Sequence, residues 1–540
     1  MLAAVAEAGP TRSAWATVMP QSHGLVIRDG EPPRTDFLTG SPHEPVAWAS
    51  FQDDIQESGW SYLQIESNPH VDDEQQAYAA GALEAYLTRE LMENQWANLF
   101  APYCDNQTEY CSRLNDFVTR NLVYTREQQH KFKESDPFWN MILACSALVK
   151  VVGDFEDMYI GHDAWFLYRG MLRVQKQYIF PWHRTAQLTG VGHISRFCRQ
   201  RRWAPRCYES QSTSYGTESR NFDHSWPPRS FPSSTTFPIN SPRRDQRLTR
   251  FRPQSNCTVL SSTSLSFTET TFILATTVGK LDCAADREDI VPGHTITMSS
   301  YAGNLVSWDN FYLSSTGLVI TETSIVNSNQ TLWDTVVPES GPFTWIRTAI
   351  ATRLALTGEE WVDITARDNS GTYFPDIFAI SEQLPLVEQY GDIYTFENCP
   401  RAKIFRRDHA KVKDMDSMLK LMRYNDFKND PLSMCNCTPP ENPTYAVAAR
   451  YDLMDPQGTY DTPGMYRHAV GGIDAKVTSS SLFSSLEFIG VSGPTWDDQP
   501  PFQWSTSQLK DLHAGQPDRW QFEPVHRKWA EPRVQWRSEL

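Results

Sequence analysis

Cys145-Ser-Ala-Leu-Val-Lys-Val-Val-Gly-Asp-Phe-Glu-Asp-Met-Tyr-Ile-Gly-His-Asp-Ala-Trp165 is the stretch whose reading decides the fold. Ala147, Val149 and Val151 recur at every second position and share one face of a strand, Gly153-Asp154 offers a turn, and Met158 to Trp165 returns as a second strand. The segment reads as a hairpin. A two-residue loop at Gly153-Asp154 sets Cys145 directly opposite His162, with Cβ atoms roughly 5 Å apart. A longer loop centred on Phe155 moves the partner of Cys145 to about Trp165 or Tyr168. Asp163 falls on the opposite strand face, in a supporting position.

Outward from this hairpin the pattern alternates between strand pairs and amphipathic helices. Val46-Ala-Trp-Ala-Ser-Phe and Trp60-Ser-Tyr-Leu-Gln-Ile read as strands joined through a Glu-Ser-Gly turn. Asp72 to Leu99 reads as a helix with acidic residues in its first turn and Leu83, Leu87, Leu91 and Met92 on one stripe. Thr295 to Ser300 is a strand, and Phe311 to Ser315 and Leu318 to Ile325 form a second hairpin around Gly317. Thr344 to Leu356 is a helix with Ile346, Ala349, Ile350 and Leu354 on its apolar stripe, and Arg353 lies on that same stripe. Asp414 to Arg423 and Ser479 to Phe488 read as further helices. The absence of a regular strand-helix-strand rhythm predicts an α+β class.

Residues 1–45 read as an N-terminal tail, 46–180 and 291–540 as the two parts of one catalytic body, and 181–290 as a low-complexity, disordered insert rich in Arg, Ser, Pro and Thr. A partner-binding basic segment is the functional alternative for that insert. The formal net charge of -16 argues against a nucleic-acid or anionic-membrane surface, because both need clustered Lys and Arg. The longest apolar stretch, 141–152, contains Lys150 and falls far below spanning length, so no integral membrane segment is expected. Met1 to Val5 lacks the basic start and long apolar run of a signal peptide. The ten cysteines follow no zinc spacing, and neither a metal nor a cofactor is expected. Cys104 with Cys111 and Cys435 with Cys437 stand out as local pairs. Sequons at Asn106, Asn256, Asn329 and Asn436 fit a glycosylated chain.

Several stretches carry a resemblance to a known family. They are Val46-Ala-Trp-Ala-Ser-Phe, Gln76-Ala-Tyr-Ala-Ala-Gly, Cys145-Ser-Ala-Leu with Gly161-His-Asp-Ala-Trp, Met171-Leu-Arg and Ser299-Ser-Tyr-Ala-Gly. Others are Asn369-Ser-Gly-Thr-Tyr, Ile404-Phe-Arg-Arg, Met422-Arg-Tyr-Asn-Asp-Phe, Gly471-Gly-Ile-Asp-Ala-Lys-Val-Thr and Pro501-Phe-Gln-Trp-Ser-Thr-Ser. The chain resembles the phospholipase B-like family, which includes the lamina ancestor proteins. The resemblance implies a four-layer αββα sandwich of the N-terminal-nucleophile hydrolase type, a cut just before Cys145, and a freed α-amino group serving as base. It also implies a phospholipid or other acyl substrate, a lysosomal or secreted location, a Cys104–Cys111 disulfide, glycosylation at Asn106, Asn329 and Asn436, and a possible homodimer.

A thiol attacks as its thiolate, and an amine of intrinsic pKa about 7.7–8.0 accepts that proton without a separate histidine. On this reading Cys145 is nucleophile and base together; outside the resemblance, a lone cysteine beside Ala and Leu is a small buried hydrophobe. His162 takes a direct or an orienting role. Asn327, ahead of Asn329, matches the family's asparagine stretch and is the candidate oxyanion donor, with a turn-forming asparagine as its plain alternative. Arg353 meets either a substrate group or a structural carboxylate.

The chain departs from the family pattern where Met141-Ile-Leu-Ala runs straight into Cys145, across 181–290, after Tyr373, and at Cys435-Asn-Cys437, whose closeness predicts a strained bridge. The truncation before Cys145, with Ala164 standing where the pattern favours a hydroxyl, motivates one alternative, an inactive lysosomal or secreted glycoprotein; an amidase acting on N-acyl substrates is the other, through the same Cys145 chemistry.

Overall fold

The computed structural model describes residues 12–22, 24–32, 43–101, 104, 108–127, 144–153, 156–183, 262–268, 271–277, 290–323, 337–367, 391, 393, 395, 397–460 and 465–533. The described elements belong to one compact unit, 1–184 with 258–540; the second, 185–257, lies outside the described residues. The class is α+β, as the alternating patterns predict.

In chain order the strands are β1 (Arg12–Gln21), β2 (Gly24–Asp29), β3 (Ala47–Asp54), β4 (Trp60–Ser67), β5 (Ala144–Val152), β6 (Asp157–Leu167) and β7 (Arg173–Ile179). They continue with β8 (Ser262–Thr268), β9 (Thr271–Thr277), β10 (Thr295–Tyr301), β11 (Tyr312–Ser314), β12 (Leu318–Ile320), β13 (Val470–Ser479) and β14 (Ile489–Ser492). The main helices are α1 (Asp73–Gln95), α2 (Thr108–Glu127), α3 (Thr344–Leu354), α4 (Gly358–Ala366), α5 (Pro400–Asp408) and α6 (Met415–Met422). A large sheet runs β2-β1-β3-β4-β7-β10-β11-β12-β9-β8, antiparallel except between β4 and β7. A smaller one runs from Val525–His526 through β14, β13 and β6 to β5, which is its edge.

Each sheet buries one face against a helix. Asp72 caps α1 by accepting from the amides of Glu74 and Gln75, and the predicted stripe of Leu83, Leu87 and Leu91 packs on Ala49, Leu63, Ile65, Val174 and Met298 of the large sheet. Asp414 and Ser417 form the capping box of α6, whose Met418 and Met422 pack with Tyr159, Ala475 and Val477 on the outer face of the small sheet. The alternate residues of the same strands turn toward each other. Ile160 of β6 meets Phe311, Leu313 and Val319, while Ala164 and Phe166 join a cluster with Ile473.

Much of the layer between the sheets is polar. Arg173 of β7 reaches Asp309 at 2.8 Å and Asp474 of β13 at 2.7 Å, and the Lys476 ammonium bonds both of those carboxylates. All four side chains are almost fully buried, so two cations and two carboxylates neutralise one another across the sheet interface. Burial alone raises the Asp309 pKa, but Arg173 and Lys476 outweigh it and hold this carboxyl well below its ordinary value of 3.8.

Several expectations need correction. Residues 12–29 are not tail: β1 and β2 extend the large sheet, with Ala16 and Val18 in its core. Within 181–290, Ser262–Thr268 and Thr271–Thr277 pair as a hairpin that ends the large sheet; Leu265 and Phe267 alternate with Ser and Thr in the first strand, and Phe272-Ile-Leu-Ala is a short continuous apolar run in the second. The helix expected over 479–488 is a single turn, Ser480–Phe483, since β13 runs to Ser479 and β14 starts at Ile489. On α3 the buried face carries Thr344, Arg347, Thr348, Ala351, Thr352 and Arg353, whereas Ile346, Ala349, Ile350 and Leu354 are half-buried. Cys104 is joined to Cys111, and Cys435 to Cys437. Among the described residues no helix is long and apolar enough to cross a membrane.

Replacing Lys476 with Met leaves Asp309 and Asp474 sharing Arg173 alone. Urea unfolding of Lys476→Met is expected to lose about 3–5 kcal/mol, the usual cost of removing one partner of a buried ion pair; an unchanged midpoint contradicts the ion-pair account. Because the Asp309 pKa is depressed, its stabilisation is present above its unfolded value and is lost as pH falls through the lower folded one. Acid loss from this group is therefore expected only below about pH 4.

Candidate active site

Cys145 is the second residue of the edge strand β5 and is buried. Its partner on β6 is Ala164, while His162 pairs with Ala147. The predicted register, with Cys145 directly opposite His162, is therefore corrected by two positions. The cause is the turn: Val152 and Asp157 form the last pair, and the amide of Glu156 donates to the Val152 carbonyl, so four residues connect the strands where two were expected. A shift of two preserves parity. Cys145 and His162 stay on one face as diagonal neighbours, roughly 7–8 Å apart.

That face opens on a small cavity between the sheets, about 20 Å³, lined by Cys145, Ala164, Phe166, Arg173, Asp309 and Glu322 among others. Such a volume takes about one water. Burial, together with the carboxylates of Glu322 and Asp309, pushes the Cys145 thiol up to about 12, although Lys476 pulls the other way. Without a base, Cys145 is a thiol throughout the physiological range.

His162 is fully buried and is not itself among the residues lining the cavity. Its Nε2 lies 3.0 Å from the backbone carbonyl of Glu322 and so carries the proton it donates, leaving Nδ1 without a hydrogen-bond partner. Burial, then the nearby Lys476 charge, pulls its pKa down to about 3, so the ring is neutral even in acid. Glu322 is held in turn by Asn310, whose Nδ2 donates to Oε2 at 2.6 Å from a backbone with φ +43°. Asn310 is one of the residue types that tolerate this left-handed conformation.

Asp163 lies on the outer face, as alternation predicts, and is buried with Oδ1 lacking a hydrogen-bond partner. Burial, reinforced by Asp474, raises its pKa well above the ordinary carboxylate range. The same face carries Ser146 and Trp165, which both donate to the Val447 carbonyl, at 2.8 and 3.1 Å. Close packing here depends on Gly472, since a Cβ at that position would stand 2.7 Å from Asp163 Oδ1.

Arg353 does not line the cavity. Its guanidinium lies 4.3 Å over Trp182 and 5.3 Å over Phe180, and Nη1 donates to the Gly293 carbonyl at 3.0 Å. Aromatic faces and a carbonyl thus take the place of the carboxylate or substrate group expected for it. Asn327, Asn329 and Asn106 lie outside the described residues, whereas Asn436 is exposed. Arg173, Lys476, Asp309 and Glu322 escaped the sequence reading. Arg173, inside Met171-Leu-Arg, and Lys476, inside the Gly471–Thr478 stretch, carried a signal there, both without a role.

Comparison with known proteins agrees with the motifs. A family profile described as Phospholipase B matches residues 47–144, 140–198, 262–374 and 373–527. Its segments meet near 144 and 373, where the sequence reading finds the pattern shortened. The human protein named "Putative phospholipase B-like 2" is 32% identical over 96% of this chain and 95% of its own length. "Putative phospholipase B-like 1" of Caenorhabditis elegans is 29% identical over 90% of this chain and 87% of its own, and "Phospholipase B-like protein C" of Dictyostelium discoideum is 26% identical over 90% and 88%. With most of the chain matched and Cys145 and His162 both inside the matched segments, the chain belongs to the phospholipase B-like family.

Proposed function

We propose that this chain is a hydrolase of the N-terminal-nucleophile type that cuts itself before Cys145 and then releases acyl groups from glycerophospholipids. The observation that carries the reading is the position of Cys145 at the start of an edge strand, with its thiol on a cavity between two face-packed sheets. The packing order α1, large sheet, small sheet, α6 supports a four-layer αββα sandwich.

In the first step the Cys145 sulfur adds to the carbonyl carbon of Ala144. The carbon–nitrogen bond breaks, the thiol proton passes to the departing nitrogen, and water hydrolyses the thioester to a carboxylate on Ala144 and a free Cys145. The α-amine so released is the missing base: its intrinsic pKa of about 7.7–8.0 lets it take the proton that the buried thiol otherwise keeps. In turnover the sulfur attacks the ester carbonyl, the carbon–oxygen bond breaks, and the amine delivers its proton to the departing glycerol oxygen. Water then cleaves the acyl thioester, releasing the fatty acid and restoring the thiol.

Asn327 remains the proposed oxyanion donor, and the contacts of Arg353 support bracing over chemistry. His162 orients through its Nε2 bond to Glu322. Two disulfides and the exposed sequon at Asn436 fit an oxidising, glycosylating route to a lysosomal or secreted location. N-acyl amides are open to the same chemistry. The small cavity and the raised thiol pKa also favour a second reading, an inactive glycoprotein that keeps the fold.

Incubation of the purified chain near pH 5 is expected to split it into 1–144 and 145–540 by mass, after which it frees fatty acid from phosphatidylcholine vesicles. Cys145→Ala is expected to stay whole and inactive. A chain that stays intact, with Cys145 unlabelled by thiol-directed acyl reagents, refutes the reading.

His162 gives a pH signature. Its folded pKa is lowered, so between 6.5 and about 3 the unfolded state holds a proton that the folded state lacks, and stability falls as pH drops through that window. At 1.36 kcal/mol per unit, the loss attributable to His162 between pH 7 and pH 5 is about 2 kcal/mol. Urea unfolding at both pH values is expected to give a drop smaller by that amount for His162→Gln; equal drops contradict the buried neutral imidazole.

A further inference from the structure

Arg401 is the second residue of α5, on the outer side of the small sheet. Its Nη1 donates to the backbone carbonyl of Cys145 at 2.6 Å and lies 3.3 Å from Ser146 Oγ. The guanidinium stacks 4.3 Å over the Trp165 ring, and Trp165 and Ser146 are both anchored on the Val447 carbonyl. One planar cation thus ties the main chain of Cys145 to a fixed aromatic platform.

We propose that Arg401 is the positioning residue of the nucleophile, clamping the Cys145 carbonyl so that thiol and freed amine stay aimed at the inter-sheet cavity. The inference rests on the reading of Cys145 as an N-terminal nucleophile. Among the described residues β5 pairs with β6 alone, so its first residues are held by the sheet from one side. Scission severs Cys145 from Ala144 and turns it into a strand end, where fraying concentrates. A hydrogen bond to the Cys145 carbonyl fixes the peptide plane that carries its Cα, and with it the origin of the sulfur and the amine.

Lysine does not replace this group. A guanidinium stacks flat on the indole while its Nη1 reaches the carbonyl and the hydroxyl together, and an ammonium makes no such planar stack to fix its donor in place. Charge adds a second effect. By covalent geometry the Cys145 nitrogen is within about 6 Å of Nη1, and a cation there disfavours the protonated amine and so favours the base form.

The test compares full-length wild type with Arg401→Met and Arg401→Lys, following the rate of scission by mass and the pH dependence of Cys145 labelling after the cut. Arg401→Met is expected to slow scission roughly ten- to a hundredfold, to move the acid limb of labelling to higher pH, and to regain rate with millimolar guanidinium. Arg401→Lys is expected to fall between the two, with the shift in the acid limb reduced. If Arg401→Met does not fold, Arg401→Lys decides: slower scission supports the clamp, and wild-type rate overturns it. Variants that cut and titrate like wild type overturn the role of Arg401 alone. A folded wild-type chain that never cuts overturns the nucleophile reading, and this inference with it.

Discussion

Two sheets meet here across a layer that holds charge, and the ion pairs of Arg173 and Lys476 with Asp309 and Asp474 are what make that layer tolerable. Each of these groups alone would be costly to bury, and together they cancel. The interface is thereby kept polar close to Cys145, where an apolar seam would leave a thiol as one more core side chain. Lys476 acts on both groups under discussion: it opposes the rise of the Cys145 pKa and lowers that of His162. The electrostatics of the site and the cohesion of the sheets are one network.

From this follows a division of labour between the two faces of the β5–β6 hairpin. The inner face presents Cys145 and His162 to the sheet interface, and the outer face presents Ser146, Asp163 and Trp165 to the segment around Val447. Burial holds the proton on the Cys145 sulfur, and the buried imidazole does not take it because burial and the Lys476 charge hold its own pKa down at about 3. A base must therefore come from elsewhere. In the proposed mechanism it comes from the backbone, at the only place where a new amine is adjacent to the thiol.

Much of the scaffold was legible because its signals are local. The Leu83, Leu87 and Leu91 stripe, the β3–β4 pair and the hairpin at Gly317 are each specified within a short window. What the sequence reading missed depends on contacts between distant segments. The register of β5 against β6 turned on loop length, which the bond from Glu156 to Val152 sets. β1 pairs with β3 and carries β2, and β9 pairs with β12 and carries β8, which the tail and low-complexity readings overlooked. On α3, Arg347 bonds Thr344 and Arg353 stacks on Trp182, so polar residues satisfy one another on the buried face and periodicity alone pointed to the wrong side. The charges around the cavity were invisible for the same reason: Arg173 and Asp309 look like surface residues until the sheets are stacked.

N-terminal sequencing of the larger fragment after acid incubation tests the central claim most directly. The account predicts a new chain beginning Cys-Ser-Ala-Leu, with no such end in Cys145→Ala. A single unbroken chain, or a cut that leaves any other residue first, contradicts it.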